Sequence, residues 1–159
     1  MEKVVIVGAS LAGVRAAETL RSSGFTGSIT VVGAERHMPY DRPPLSKKFL
    51  SGEWEADRIA LRKPEDLVTL NIEWKLGAVA NALDVEKQTI SLEDGSIVQY
   101  DGLIITTGGV ARLLPHQPPL AGIHTLRTID DAIALRDEIQ TDSRVVVIGA
   151  GFIGLEAAA

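Results

Sequence analysis

Twice along this 159-residue chain a run of β-branched residues ends in a spaced set of small residues and glycines, a pattern suited to holding phosphate. The first is Val4-Val5-Ile6-Val7-Gly8-Ala9-Ser10-Leu11-Ala12-Gly13. The second is Val145-Val146-Val147-Ile148-Gly149-Ala150-Gly151-Phe152-Ile153-Gly154. In such a turn the opening glycine permits the sharp exit from a strand. The middle position lets backbone approach a pyrophosphate, and the closing glycine lets a helix pack tightly on the sheet. The helix that follows offers free N–H groups and a positive dipole end to an anion. Ser10 occupies the middle position of the first set, where a glycine is usual, and its hydroxyl can donate to a phosphate. Gly149, Gly151 and Gly154 keep all three glycines.

A glycine pattern alone is weak. Glu35 strengthens the first one, because it lies about 20 residues past Gly13, where a carboxylate can accept hydrogen bonds from an adenosine ribose. The corresponding residue of the second set falls beyond Ala159, so NADH and NADPH are not distinguished by this sequence. The first set predicts a bound dinucleotide, and two sets predict two of them.

These residues need elements to position them. Residues 4–7 read as a buried strand ended by Gly8, residues 11–20 as a helix stopped by Gly24, and residues 29–32 as a second strand. That makes a parallel crossover of about 30 residues. Residues 39–44 are too proline-rich for helix or central strand, whereas residues 45–50 and 64–70 read as short helices. Residues 73–83, 88–92 and 96–100 read as three strands of an antiparallel meander, with Asp94-Gly95 as a hairpin turn. Residues 103–106 form another strand, 112–122 a connector, and 130–140 a helix capped by Ile129-Asp130. A strand is expected at 145–148, followed by a partial helix. The fold class is α/β, a Rossmann-like parallel sheet with a small meander, cut at the start of a second such unit. Residues 1–143 read as one domain and 144–159 as the opening of the next, an apolar piece prone to disorder or self-association.

Composition excludes several classes. The net charge of −5 with scattered basic residues argues against nucleic acid or an anionic membrane as partner. No apolar run approaches the roughly 18 residues of a membrane span, and the chain enters its first strand too soon for a signal peptide, so cytoplasm is the expected location. There is no cysteine, hence no disulfide, thiolate metal site or redox dithiol in this stretch. His37, His116 and His124 lack metal-ligand spacing, and Trp54 and Trp74 read as packing residues.

Three further segments narrow the reading: Pro39-Tyr40-Asp41-Arg42-Pro43-Pro44-Leu45-Ser46-Lys47, residues 103–109, and Leu126-Arg127-Thr128-Ile129-Asp130-Asp131-Ala132. With the first glycine set they closely resemble the FAD-dependent NAD(P)H:ferredoxin reductases of bacterial oxygenase and cytochrome P450 systems. Those enzymes belong to the glutathione-reductase-like flavoproteins, and the resemblance runs from residue 4 to 159. It implies FAD on Gly8, Ser10, Leu11, Ala12 and Gly13, and NADH or NADPH on Gly149, Gly151 and Gly154. It also implies that Lys47 sits near the reactive flavin nitrogen, where an ammonium favours electron density on the reduced ring. Arg127 matches an FAD-contacting arginine and Arg42 a further pyrophosphate or flavin contact. Thr107 and Gly108 match a turn passing close to the cofactor, and Ala80 a backbone position at the adenine. Ala34 marks a place where some relatives carry the acid instead of Glu35. An acidic ferredoxin is the implied partner, steered by Arg42, Lys47 and Lys48. Two alternatives stay open: a related reductase with rubredoxin, nitrite or a quinone-like acceptor, and a binding piece without turnover.

Overall fold

The computed structural model describes residues 1–139 and 141–159. Their elements run β1 (Lys3–Val7), α1 (Leu11–Ser22), β2 (Ser28–Gly33), α2 (Pro64–Thr69), β3 (Ile72–Leu76), β4 (Ala80–Asp84), β5 (Thr89–Leu92), β6 (Ile97–Gln99), β7 (Gly102–Ile105), α3 (Ile129–Glu138) and α4 (Phe152–Ala158). The chain divides into two units, one of Met1–Tyr40 with Ala60–Gly108, the other of Asp41–Ile59 with Gly109–Ala159.

The first unit is built on a parallel sheet in the order β3-β2-β1-β7. Val4 to Val7 are all buried because both faces of β1 are covered, which explains an unbroken apolar run rather than an alternating one. Val4 and Ile6 pack with Ala17 of α1, Ile29 and Val31. Val5 and Val7 face the other way, against Ile90, Leu92 and Tyr100 of the antiparallel layer β4-β5-β6 and its edge. The turn at Asp94-Gly95 joins β5 to β6, with Gly95 at φ +84°. Gly24 ends α1 as expected. Its N–H donates to the Arg21 carbonyl while Phe25 N–H donates to Leu20, satisfying carbonyls the last turn would otherwise strand. Arg21 then donates through its guanidinium to the carbonyls of Phe25, Gly27, Leu70 and Asn71.

One expectation for this unit needs correction. The stretch 73–83 is not one strand of the meander. Gly77, at φ +69°, breaks it, so that β3 pairs in parallel with β2 and only β4 joins the antiparallel layer. The meander therefore begins at Ala80, with a bulge between Ala80 and Ala82.

In the second unit the expected helix 45–50 is a tighter 3-10 turn, Pro43–Ser46, followed by irregular turns. Paired prolines at its start remove two N–H donors, which favours a short element. Leu45 of that turn and Phe49 beyond it are buried, as are Ile59, Ile129 and Ala132, and the Arg136 guanidinium lies 5.3 Å over the Phe49 ring. Helix α3 is capped one residue earlier than expected. Thr128 accepts from Asp131 N–H, and the Asp131 carboxylate accepts from Thr128 and Arg127 N–H, a reciprocal capping box. The expected end of this helix at Gln140 lies outside the described residues.

The strand expected at 145–148 does not form. No described strand pairs with it, and Val145, Val146 and Ile148 stand exposed. A strand is a pairing, and an apolar sequence without a ladder partner has nothing to be a strand with. The partial helix after it does form, as α4.

Candidate functional site

The first glycine loop is shaped by contacts that leave no room for side chains. Gly8 adopts φ +121° between the ends of two strands, its N–H donating to Val32 at 2.7 Å. A Cβ there would lie 2.2 Å from the Thr106 carbonyl oxygen, and one on Gly13 would lie 2.0 Å from the Gly8 carbonyl oxygen. Thr106, directly after β7, locks the turn from behind, its N–H donating to Val7 and its hydroxyl to the carbonyls of Val7 and Gly8. Neither distance leaves a choice of residue.

Ser10 is the N-cap of α1 in an extended conformation, and its side chain makes no capping bond. The first helical bond runs from Val14 N–H to Ser10 carbonyl at 3.0 Å. The N–H groups of the first turn thus have no partner inside the helix. Leu11 and Ala12 are exposed at its mouth, while Gly13 is buried. No acidic residue stands in that first turn to compete with an incoming anion.

The end of β2 comes up against this loop. A Cβ on Gly33 would meet the Ala9 Cβ at 2.5 Å, so a third glycine is needed at a position the sequence pattern did not mark. Ala34 is exposed, and Glu35 follows, half-buried, two residues past that contact. The Tyr40 hydroxyl donates to Oε2 of Glu35, and the Glu35 carbonyl accepts from Gly77 N–H. Ala80, half-buried, opens β4 and packs on the layer that covers Val7 and Val32. Thr107 and Gly108 follow β7 in an exposed turn, Gly108 at φ +67°.

In the second unit Arg42 donates to the Arg127 carbonyl at 2.7 Å, and the Arg127 Nε donates to the carbonyl of Gly109. The structure thus joins the two arginines that the sequence proposed separately. Lys47 has a partner the sequence reading missed, Glu156 of α4. The ammonium lies 2.9 Å from Oε2 of Glu156, which also accepts from the Ser46 hydroxyl at 2.6 Å. The Ser46 hydrogen bond first, then the Lys47 ammonium, hold the Glu156 carboxyl below its ordinary range. Ser46, Lys47, Ser51, Ile139 and Glu156 wall a surface depression of about 360 Å³. Lys48 pairs with Glu53 at 3.3 Å and lies over the Trp54 ring, which also meets the Arg58 guanidinium. None of the three proposed steering cations stands alone.

The second glycine loop repeats the geometry of the first. Gly149 adopts φ +118°, and a Cβ on Gly154 would lie 2.1 Å from the Gly149 carbonyl oxygen. Gly151 caps α4, accepting from Leu155 N–H at 3.0 Å.

Two glycine turns of this kind, the first leading from a strand into a helix with an acid beyond β2, match a known family. The sequence pattern of the pyridine nucleotide-disulphide oxidoreductases covers residues 2–159. The chain belongs to that family. Among its relatives, putidaredoxin reductase of Pseudomonas putida is 41% identical over 99% of this chain and 38% of its own length. Rhodocoxin reductase of Rhodococcus erythropolis is 43% identical over 98% of this chain and 37% of its own. A solved covalent complex of putidaredoxin reductase with putidaredoxin superposes with a TM-score of 0.88 at 40% identity, covering 99% of this chain and 39% of that one. The chain thus spans well under half the length of the relatives it matches. The Rossmann-like fold and the resemblance to ferredoxin reductases are borne out. The disulphide of the family name has no counterpart here, since these 159 residues contain no cysteine.

Proposed function

We propose that this chain is the FAD-binding part of an oxidoreductase that passes electrons from NADH or NADPH through FAD to a ferredoxin. The observation that carries the proposal is the first glycine loop, locked by Thr106, open at the N-terminus of α1, and adjoining the end of β2 that bears Glu35. The residues fit the group. Gly8 and Gly13 keep the loop flat enough for a pyrophosphate, Ser10 and the first-turn N–H groups donate to it, and Glu35 accepts from the adenosine ribose. Ala34, Ala80, Thr107 and Gly108 would line the same dinucleotide, with Leu11 and Ala12 at its phosphates.

On the resemblance, Arg42, Lys47 and Arg127 serve the flavin end. When bound, FAD would accept hydride from the nicotinamide and release electrons singly to an iron-sulfur acceptor. The chain's own part is to hold and tune. Lys47 supplies positive charge, and Glu156 and the carbonyl of Pro43 fix where that charge stands. Gly149, Gly151 and Gly154 would receive NADH or NADPH, within a second domain beginning near residue 144. The relatives' names support the ferredoxin acceptor. Cytoplasm, where reduced nicotinamides are made and spent, is the proposed location.

A second reading is that these 159 residues by themselves bind a dinucleotide without turnover. The share of the relatives' length that they cover favours it. The deciding measurement is the visible spectrum of the purified full-length protein with its released cofactor identified. FAD is expected, and a protein that neither carries nor takes up FAD would overturn the proposal.

A further inference from the structure

Glu35 is expected to read the adenosine ribose, yet a glutamate reaches its carboxylate through three rotatable bonds and must be ordered to do so. In the structure that carboxylate is held by Tyr40. Tyr40 is buried, and its main chain is pinned, since Tyr40 bridges to Ala60 while Leu61 N–H donates to the Pro39 carbonyl. Its ring stands edge-on to His37, with centroids 6.4 Å apart. From that fixed position the hydroxyl donates to Oε2 of Glu35. The main chain of Glu35 is held as well, by Gly77 N–H at 2.9 Å, and that of Gly33 by Ala78 N–H at 2.9 Å.

We propose that Tyr40 is a positioning residue for dinucleotide selection, presetting the Glu35 carboxylate to accept from the ribose 2′-hydroxyl. The proposal rests on the FAD reading above. Its physical content is preorganisation. A carboxylate already aimed loses less freedom on binding, and an acceptor-only group in place repels a 2′-phosphate while rewarding a 2′-hydroxyl. Removing the Tyr40 hydroxyl leaves the ring, its burial and its backbone bridge, but takes away its hold on Oε2 of Glu35.

The test is a thermodynamic cycle on the apo form of the full-length protein, titrated with FAD and with an FAD analogue lacking the adenosine 2′-hydroxyl. Tyr40→Phe should weaken FAD roughly five- to tenfold, and the analogue by less than about twofold. In a Glu35→Ala background the same substitution should change FAD affinity little, because the two residues act as one unit. Equal losses for both ligands, additive losses in the double variant, or no loss for FAD would each overturn the role given to Tyr40. A wild-type apoprotein that takes up neither ligand would instead overturn the FAD reading itself, and the two failures are told apart by that control.

Discussion

At the scale of single residues, what matters most is where a side chain is forbidden. A Cβ on Gly13 would sit 2.0 Å from a carbonyl oxygen in the same loop, so Gly13→Ala must push α1 away from the turn it packs on. The expected cost is about 2 kcal/mol, within the usual range for overpacking, with loss of FAD uptake. Gly95→Ala makes the control. Its Cβ would meet nothing within 4 Å, so only its φ of +84° is penalised. That cost is about 1 kcal/mol, and FAD uptake should be unchanged. Urea titrations with flavin absorbance read both. The Lys47–Glu156 pair gives a pH signature. Because Ser46 and Lys47 lower the Glu156 carboxyl from its ordinary value of 4.5, the ionised pair stabilises the fold above that value. The contribution fades as pH falls through the lowered folded value. Thermal midpoints of wild type and Glu156→Gln should therefore differ near neutrality and converge in acid. A gap that widens below pH 4.5 would show the sign to be wrong. The glycines and Glu35 were legible in the sequence because their chemistry is set by spacing along a strand, turn and helix. Glu156 was not, because it is 109 residues from Lys47 and nothing local marks it.

Elements differ in how far their form is local. The two glycine loops have nearly the same φ at their first glycine, +121° and +118°, and the same close approach at their last. Yet only the first follows a paired strand. The turn is therefore encoded within six residues, whereas the strand before it depends on neighbours elsewhere. The same distinction explains β3. Residues 72–76 look like any half-buried strand, and only their register on β2, Ile29 to Ile72 through Gly33 to Leu76, assigns them to the parallel sheet. Helix α3 shows the opposite case, an element whose start is written in its own residues, since Thr128 and Asp131 cap each other. Asp131 also accepts from Arg127 N–H, so the cap holds the backbone beside the proposed cofactor arginine. Thr128→Ala should cost about 1 kcal/mol in a denaturant titration. If Arg127 serves the flavin, bound FAD should also be released more readily. An unchanged midpoint would show that the capping box contributes nothing to α3.

For the whole molecule, an α/β class and a parallel sheet followed from apolar runs alternating with helical periodicity. Where one unit ends and the next begins was not legible, because residues 41–59 leave the first unit and the chain rejoins it at Ala60. These 159 residues alone should show no NADH- or NADPH-driven reduction of a ferredoxin. Stopped-flow or steady-state assay of the isolated chain against the full-length protein checks this, and robust turnover by the short chain would refute it. The Thr106 lock has a further consequence, for the order in which the protein is made. Val4 pairs with Ile29 on one side and Gly102 on the other, so the second ladder closes a loop about fourfold longer, at an added entropic cost of roughly 1.2 kcal/mol. On the ribosome, the loop written in the first thirteen residues stays without its clasp until residue 106 has emerged. Nascent chains halted short of that point should hold the turn by its local bonds alone, without the Thr106 clasp on Val7 and Gly8. Chaperones would meet this N-terminus without its clasp until then.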